Sequence, residues 1–328
     1  MKDIKRIGVL TSGGDAPGMN AAVRAIVRSG LYHGFEMYGI YNGYNGLLNE
    51  EIMKLEARDV GNVLQRGGTF LATARAPEFA KPEGVKKAIE NAKKYGIDAM
   101  VVVGGDGSFR GARDLTNNGL PTIGVPGTID NDIACSEYTI GFDTALNTAM
   151  EAIDKIKDTC TSHQRCSIVE VMGRHAGYLA VQVAIATGAE NVLIPEIEFN
   201  FDDIVANVKK TMETGKKNHI IVVAEGIPLD GKITSTKMSK IIEEETGMET
   251  RPAILGHMQR GGSPTLKDRV IATKMGEEAI SLLKAGKSNR VVVIKNGNIT
   301  DIDINEGLAM PRKPIDEREY RLVSMLSI

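Results

Sequence analysis

Short apolar runs alternate along the chain with longer stretches in which apolar residues return every three or four positions. The runs 6–10, 35–41, 99–103 and 122–125 are rich in Val, Ile and aromatic residues, which predicts strands, and shorter ones centre on 167–171, 192–194, 220–224 and 253–255. Between them the 3.6-residue period predicts helices over 20–29, with Val23, Ile26 and Val27 on one face, and over 83–95, closed by Gly96. Two more are predicted, one capped by Ser108 and one over 144–159. Near the C-terminus VVVIKNGNITDIDI carries an Asn296-Gly297 hairpin signal. No repeat, low-complexity tract or proline-rich linker interrupts the series. Strands alternating with helices predict an α/β fold with largely parallel sheets.

In such sheets ligands bind beyond the carboxyl ends of the strands. Here TSGGD follows Leu10, GGDGS follows Val103, PGTIDND follows Val125, MGRHAG follows Val171, EG follows Ala224 and GHMQRGG follows Leu255. Any one of these can be explained without function: a glycine turn is tight, an Asp at a helix start is a cap, Arg174 or Arg260 is a solvated charge. Six such strand ends together point to a site. VVVGGDGS places backbone N–H groups and Asp106 at a helix N-terminus, where phosphate and its metal ion are stabilised. VPGTIDND packs Asp130, Asn131 and Asp132 next to Thr128. The pair suggests phosphoryl transfer, one loop for the donor phosphates and one for the acceptor hydroxyl.

Composition narrows the class. A chain of 328 residues has room for about two domains, and 42% hydrophobic with 25% charged residues is ordinary for a soluble globular protein. A net charge of −2 argues against a general nucleic-acid binder, so an anion site has to be local. MKDIKRIGVL leads straight into a strand, without a signal-like segment, and no apolar run reaches membrane-spanning length. Three cysteines, an odd count without metal-ligand spacing, predict reduced thiols and a cytoplasmic location. GxxxxGK[ST], GxGxxG, HExxH and GxSxG do not occur, which sets aside Walker-type NTPases, Rossmann dehydrogenases, a catalytic zinc and the hydrolase elbow.

The ordered series IGVLTSGGDAPGMNAA, RGGTFLATAR, GGDGS, PGTIDND, SHQR, VMGRHAG, ETR and LGHMQRGGSP resembles the ATP-dependent 6-phosphofructokinases of bacterial type over essentially the whole chain. GGDGS alone also looks like NAD kinases and lipid kinases, which lack the TIDND, MGR and GHMQRGG series. The resemblance implies two Rossmann-like three-layer domains with the active site in the cleft between them. Residues 1–141 plus about 258–307 would bind ATP, and about 142–257 plus 308–328 would bind fructose 6-phosphate. It implies phosphorylation of the sugar 1-hydroxyl by MgATP, giving fructose 1,6-bisphosphate and ADP, the committing step of glycolysis. A homotetramer with shared active sites is implied too, with Arg165 and Arg251 reaching a neighbouring subunit.

Residue roles follow from the same resemblance. Asp130 is the expected general base, and Asp106 the Mg²⁺ carboxylate with Asp132 in support. Gly13, Arg75, Ala76 and the turn Gly105, Asp106, Gly107, Ser108 resemble the ATP contacts. Arg75, Thr128 and Arg174 are expected to stabilise the phosphoryl group in flight. Arg165, Arg251, His257 and Arg260 resemble the clamp on the sugar 6-phosphate, where the planar guanidinium matches phosphate. Ile129, Met172, Gly173, Glu225, Met258 and Gln259 complete the expected sugar site.

An effector site for ADP or phosphoenolpyruvate is implied at Arg24, Arg28, Lys157, Gly188, Glu190, Lys216, Lys217 and Asn218. Here the chain departs from the family: Lys157 stands for an arginine, and Thr214 and Asn218 for an arginine and a histidine, with His219 displaced by one. Losing the fork and two charges predicts weakened control. The segment 226–238 is longer than in close relatives and predicts an extended loop. Two alternatives are distinguishable. Pyrophosphate-dependent relatives resemble GGDDS and PKTIDND, where this chain has Gly107 and Gly127; a silent sensing subunit would lack Asp106 or Asp130, and both are present.

Overall fold

The computed structural model describes residues 4–227 and 234–327. In chain order its first elements are β1 (Arg6–Ser12), α1 (Met19–Tyr32), β2 (Glu36–Ile40), α2 (Gly43–Asn49), β3 (Ile52–Leu55), α3 (Pro82–Lys94), β4 (Ala99–Gly104), α4 (Asp106–Asn117) and β5 (Thr122–Pro126). There follow α5 (Phe142–His163), β6 (Cys166–Val171), α6 (Tyr178–Thr187), β7 (Asn191–Leu193), α7 (Phe201–Glu213), β8 (His219–Ala224), α8 (Ser235–Thr246) and β9 (Thr250–Ile254). A 3₁₀ turn (Gly256–Arg260) then leads to α9 (Leu266–Lys284), β10 (Arg290–Lys295), β11 (Asn298–Asp303), α10 (Ile304–Ala309) and α11 (Glu317–Met325).

These elements divide into two compact units. One comprises Met1–Ile129, Ile133–Thr144 and Arg260–Arg312; the other comprises Asp130–Asp132, Ala145–Gln259 and Lys313–Ile328. The first is built on a seven-stranded sheet in the order β11-β10-β5-β4-β1-β2-β3, parallel except for its two outer strands. The second is built on a parallel four-stranded sheet, β7-β8-β6-β9. The α/β fold with largely parallel sheets expected from the alternating pattern is what forms. β4 and β8 are buried along their whole lengths, as expected of central strands covered by helices on both faces.

Local chemistry sets the element ends. α3 closes in a Schellman motif: Gly96 has φ +69°, its N–H reaches the Lys93 carbonyl at 2.9 Å, and Ile97 N–H reaches Ala92 at 2.9 Å. Asn296 and Gly297, at φ +51° and +71°, make the tight turn between β10 and β11. Other boundaries differ from the pattern. α4 starts at Asp106, with Gly105 in the cap position, so Ser108 sits inside the first turn rather than capping it. β9 starts earlier than its apolar run because Arg251 and Pro252 lie exposed on an edge strand, where proline costs no ladder bond. Of the longer segment after Glu225, residues 228–233 lie outside the described residues.

One glycine contact shows how closely helix and sheet pack in the first unit. A methyl group at Gly124 of β5 would stand 2.9 Å from two ring carbons of Phe109, a fully buried residue of α4. Gly124→Val is therefore expected to force Phe109 out of place and cost about 1–3 kcal/mol. A denaturant midpoint equal to that of the parent protein would contradict this packing.

Candidate functional site

The first unit lines up its turns through strand register. Ser12 of β1 pairs with Gly104 of β4, and Gly104 pairs with Pro126 of β5, so three strands end at one level. β1 also marks the place where the strand order reverses, with β2 on one side and β4 on the other, which is where open α/β sheets bind ligands. Gly104 is held to glycine: a methyl there would lie 2.4 Å from Ser108 Oγ and 2.5 Å from the Ser12 carbonyl oxygen. Gly13, at φ +89°, turns the chain after β1. Its carbonyl accepts from Thr73 Oγ1 at 2.8 Å, and Thr11 Oγ1 donates to the Ala72 carbonyl at 2.8 Å. These bonds bring the segment bearing exposed Arg75 and half-buried Ala76 beside the TSGGD turn.

α4 presents Asp106 in its first turn, where the helix dipole favours negative charge and the leading amides lack intrahelical acceptors. Asp106 Oδ2 accepts from Arg110 Nε and Nη2 at 3.1 and 3.0 Å. Gly107 is exposed, with no atom within 4 Å of where a Cβ would stand. The buried Tyr44 hydroxyl donates to the Ser108 carbonyl at 2.6 Å and its ring stacks on Phe79 at 4.1 Å, anchoring the helix start to the Ala76–Phe79 side. Burial pushes the Tyr44 phenol well above its ordinary range, so it remains a donor. Gly127 N–H bonds the Gly104 carbonyl at 3.0 Å. A methyl at Gly127 would meet Met19 Cε at 3.0 Å and Val103 Cγ1 at 3.1 Å, so glycine answers to packing here. Thr128 and Ile129 are both buried, Ile129 completely. Arg260 reaches back to the first turn, its Nη1 donating to the Asp15 carbonyl at 3.1 Å.

The second unit knits its strand ends together. Glu225, just past β8, accepts the N–H groups of Gly173 at 3.3 Å and Arg174 at 2.7 Å through Oε1. It thereby holds a loop in which Gly173 and Arg174 both have positive φ, +146° and +57°. Gln259, fully buried, accepts the Met172 N–H at 2.8 Å. Arg165 and Arg251 converge on Glu249, with Nη1 of Arg165 at 3.6 Å and Nε of Arg251 at 2.9 Å. His257 and Met258 are exposed on the 3₁₀ turn, while Asp130 is buried.

The residues expected at an effector site do not lie together in one unit. Arg24 and Arg28 stand on α1 in the first, and the remainder are in the second. Arg28 donates to the Ala57 carbonyl at 3.2 Å. Arg24 has its pKa lowered by burial and by Arg28. Lys157 Nζ donates to the Thr187 carbonyl at 2.8 Å beside exposed Gly188, and Asn218 Nδ2 donates to Thr161 Oγ1 at 2.6 Å. Lys216 Nζ pairs with buried Glu190 at 2.8 Å and donates to the Ser327 carbonyl at 3.0 Å. Lys217 is exposed. Burial raises the pKa of both Cys160 and Cys166, which keeps them thiols, and no disulfide joins them.

Tyr44 and a buried Asp268 lay outside the sequence reading, while Thr73 and Glu249 fall within the motifs RGGTFLATAR and ETR without a role read for them. For Asp268 a signal was present, since Thr265-Leu-Lys-Asp268 ahead of an apolar run has the spacing of a capping box.

A largely parallel sheet whose level strand ends carry glycine turns, one of them heading a helix with a carboxylate, places this chain in the α/β class, with a strand-end row suited to a phosphate-bearing ligand. The phosphofructokinase family model matches residues 6–283. Relatives named ATP-dependent 6-phosphofructokinase include one from Bacillus pumilus (strain SAFR-032), 55% identical over 325 residues, covering 99% of this chain and 100% of the relative. One from Bacillus cereus (strain B4264) is 54% identical with the same coverage. This chain belongs to the phosphofructokinase family. The phosphofructokinase of Pichia pastoris in its T-state superposes with a TM-score of 0.88 at 38% identity, over 94% of this chain and 36% of that one. This chain thus spans about a third of the yeast polypeptide. A pyrophosphate-dependent phosphofructokinase from Marinobacter aquaeolei shares the fold, with a TM-score of 0.84 at 22% identity over 99% of this chain and 92% of that one.

His219 supplies a test of the second unit's interior. Burial holds its imidazole below the ordinary 6.5; Glu190 opposes the shift and Lys216 adds to it. Because the folded pKa is the lower one, the stability tied to neutral His219 is complete above the unfolded value and is lost as pH falls from there through the folded value. His219→Asn should therefore show a smaller drop in thermal midpoint between about pH 7 and pH 5 than the parent. Equal drops would contradict a buried neutral histidine.

Proposed function

We infer that this chain transfers the γ-phosphoryl group of ATP to the 1-hydroxyl of fructose 6-phosphate, producing fructose 1,6-bisphosphate and ADP in glycolysis. The observation that carries the reading is the level ending of β1, β4 and β5, which starts the GGDGS turn and the PGTIDND loop side by side. The residues that would meet the donor are Gly13 after β1 and Gly105, Gly107 and Ser108 at the start of α4, joined by Arg75 and Ala76 on the tethered segment. Backbone amides at the start of α4 would hold phosphate oxygens, and Arg75 would add a mobile positive charge.

Asp106 fits a magnesium ion carried on the donor phosphates. It lies in the first turn of α4, about half its side chain is exposed, and Oδ1 takes no part in the Arg110 pair. Bound there, the metal would draw charge from the phosphate oxygens as the bond to the leaving group breaks. Asp130 is the base of this reading: its burial among the loop residues suits a carboxylate that accepts the proton of the sugar hydroxyl. Thr128 and Arg174 would meet the phosphoryl group in transit, with the Arg174 backbone fixed by Glu225.

For the sugar phosphate we place Arg165, Arg251, His257 and Arg260 as the clamp. Support comes from Arg165 and Arg251 already sharing one carboxylate, which a doubly charged phosphate could replace. Met172, Gly173, Glu225, Met258, Gln259 and Ile129 complete the acceptor set. On this reading Glu225 and Gln259 act mainly by shaping the loop that touches the sugar. The chain would work as a homotetramer in the cytoplasm, with Arg165 and Arg251 serving a neighbouring subunit. Support for an interface is the exposure of Arg251, Ile254 and Met258 along one edge strand and its turn. No helix among the described residues is long and apolar enough to cross a membrane.

Open space at Gly107 favours a nucleotide over pyrophosphate; Gly127 supports it less, because packing alone already asks for glycine there. With fructose 6-phosphate, turnover is expected with MgATP and not with pyrophosphate, and turnover with pyrophosphate alone would refute the assignment. Control by ADP and phosphoenolpyruvate should be weak, since Lys157 and Asn218 already bond within the chain. Strong phosphoenolpyruvate inhibition relieved by ADP in initial-rate curves would contradict that expectation.

A further inference from the structure

Asp268 is a fully buried carboxylate with no part in the chemistry described above. It is the third residue of α9, whose cap is Thr265. In a capping box the side chain at this position would turn back to the cap's own N–H. Here it does not. The Thr265 N–H donates to Thr144 Oγ1 at 3.0 Å, and that hydroxyl donates to Asp268 Oδ2 at 2.5 Å. The carboxylate is thus freed to take three more donors: the Thr144 N–H on Oδ2 at 2.9 Å, and the Gly141 N–H and Tyr138 hydroxyl on Oδ1 at 2.8 and 2.5 Å. All come from one strap, residues 138–144.

The middle of that strap grips Thr128. Thr128 N–H donates to the Ile140 carbonyl at 3.1 Å, and Thr139 Oγ1 donates to the Thr128 carbonyl at 2.7 Å. Ile140 N–H also reaches the Pro126 carbonyl at 2.9 Å. Both peptide groups flanking the Thr128 side chain are therefore set by residues 139 and 140, and those two are pinned on either side by Asp268. We propose that Asp268 is a positioning residue for phosphoryl transfer, acting through the 138–144 strap on the Thr128 backbone. This rests on the role given to Thr128 under the proposed function. Displacing a transfer-stabilising group by a fraction of an ångström slows the chemical step. The donor turn would be spared, because α4 is anchored separately through Tyr44 and Ser108.

Asp268→Asn tests this with little change in volume. Two of the donors, the Gly141 and Thr144 amides, sit on different oxygens and cannot reverse, so either orientation of the new amide sets an NH₂ against one of them. In folded Asp268→Asn, kcat should fall by about tenfold or more while KM for ATP stays within about threefold. A kcat within about twofold of the parent overturns the proposal, and so does a parallel loss of kcat and ATP affinity, which would mark general damage. If Asp268→Asn does not fold, Tyr138→Phe, which removes one donor and keeps the ring, is judged by the same two criteria. The parent protein is assayed first with fructose 6-phosphate and MgATP: absence of product there refutes the function reading and not the role of Asp268.

Discussion

The level ending of three parallel strands is the constraint on which the chemistry depends. β1, β4 and β5 stop abreast at Ser12, Gly104 and Pro126, so three short loops leave the sheet from one row. A shift of one residue in any strand would turn its side chains to the opposite face and start its loop out of line. Gly104 guards that register, because any side chain would collide with the Ser12 carbonyl and Ser108. The hydrogen bond from Gly127 to Gly104 then continues the alignment past the sheet itself.

The second unit adds side-chain bonds to register. Its strands β6 and β8 also end abreast, at Val171 and Ala224, and exposed Glu225 and buried Gln259 act on the loop backbone beyond them. Glu225 holds a loop with two left-handed residues, and Gln259 holds the residue before it. Four acidic residues illustrate two different uses of a carboxylate. Asp106 and Asp130 carry the proposed chemistry, while Glu225 and Asp268 spend their hydrogen-bonding capacity on loop backbone.

The central strands and the six strand-end motifs were legible because continuous Val and Ile runs ending in glycine have one plain structural outcome. Edges were harder. β3, four residues long with Met53 and Lys54 exposed, and β9, with its exposed Arg251 and Pro252, lack that signature because one face or one edge meets water. The residue types of the site could be read, yet their hydrogen-bond duties could not. Nothing in EG after Ala224 says that Glu225 will accept two amides, two and three positions beyond another strand. Likewise the capping-box spacing of Thr265 and Asp268 announces a helix start and gives no hint that the carboxylate will be diverted to a strap more than a hundred residues earlier. Local signals report local geometry; these bonds are set by the sheet that brings distant loops together.

The central claim is that the PGTIDND loop supplies the base for the acceptor hydroxyl. Steady-state turnover of Asp130→Ser, measured beside its binding of fructose 6-phosphate, tests it most directly. Turnover should fall by about 10²–10⁴-fold with binding within about threefold of the parent. Turnover close to that of the parent would contradict the assignment of Asp130 and with it this account of the loop.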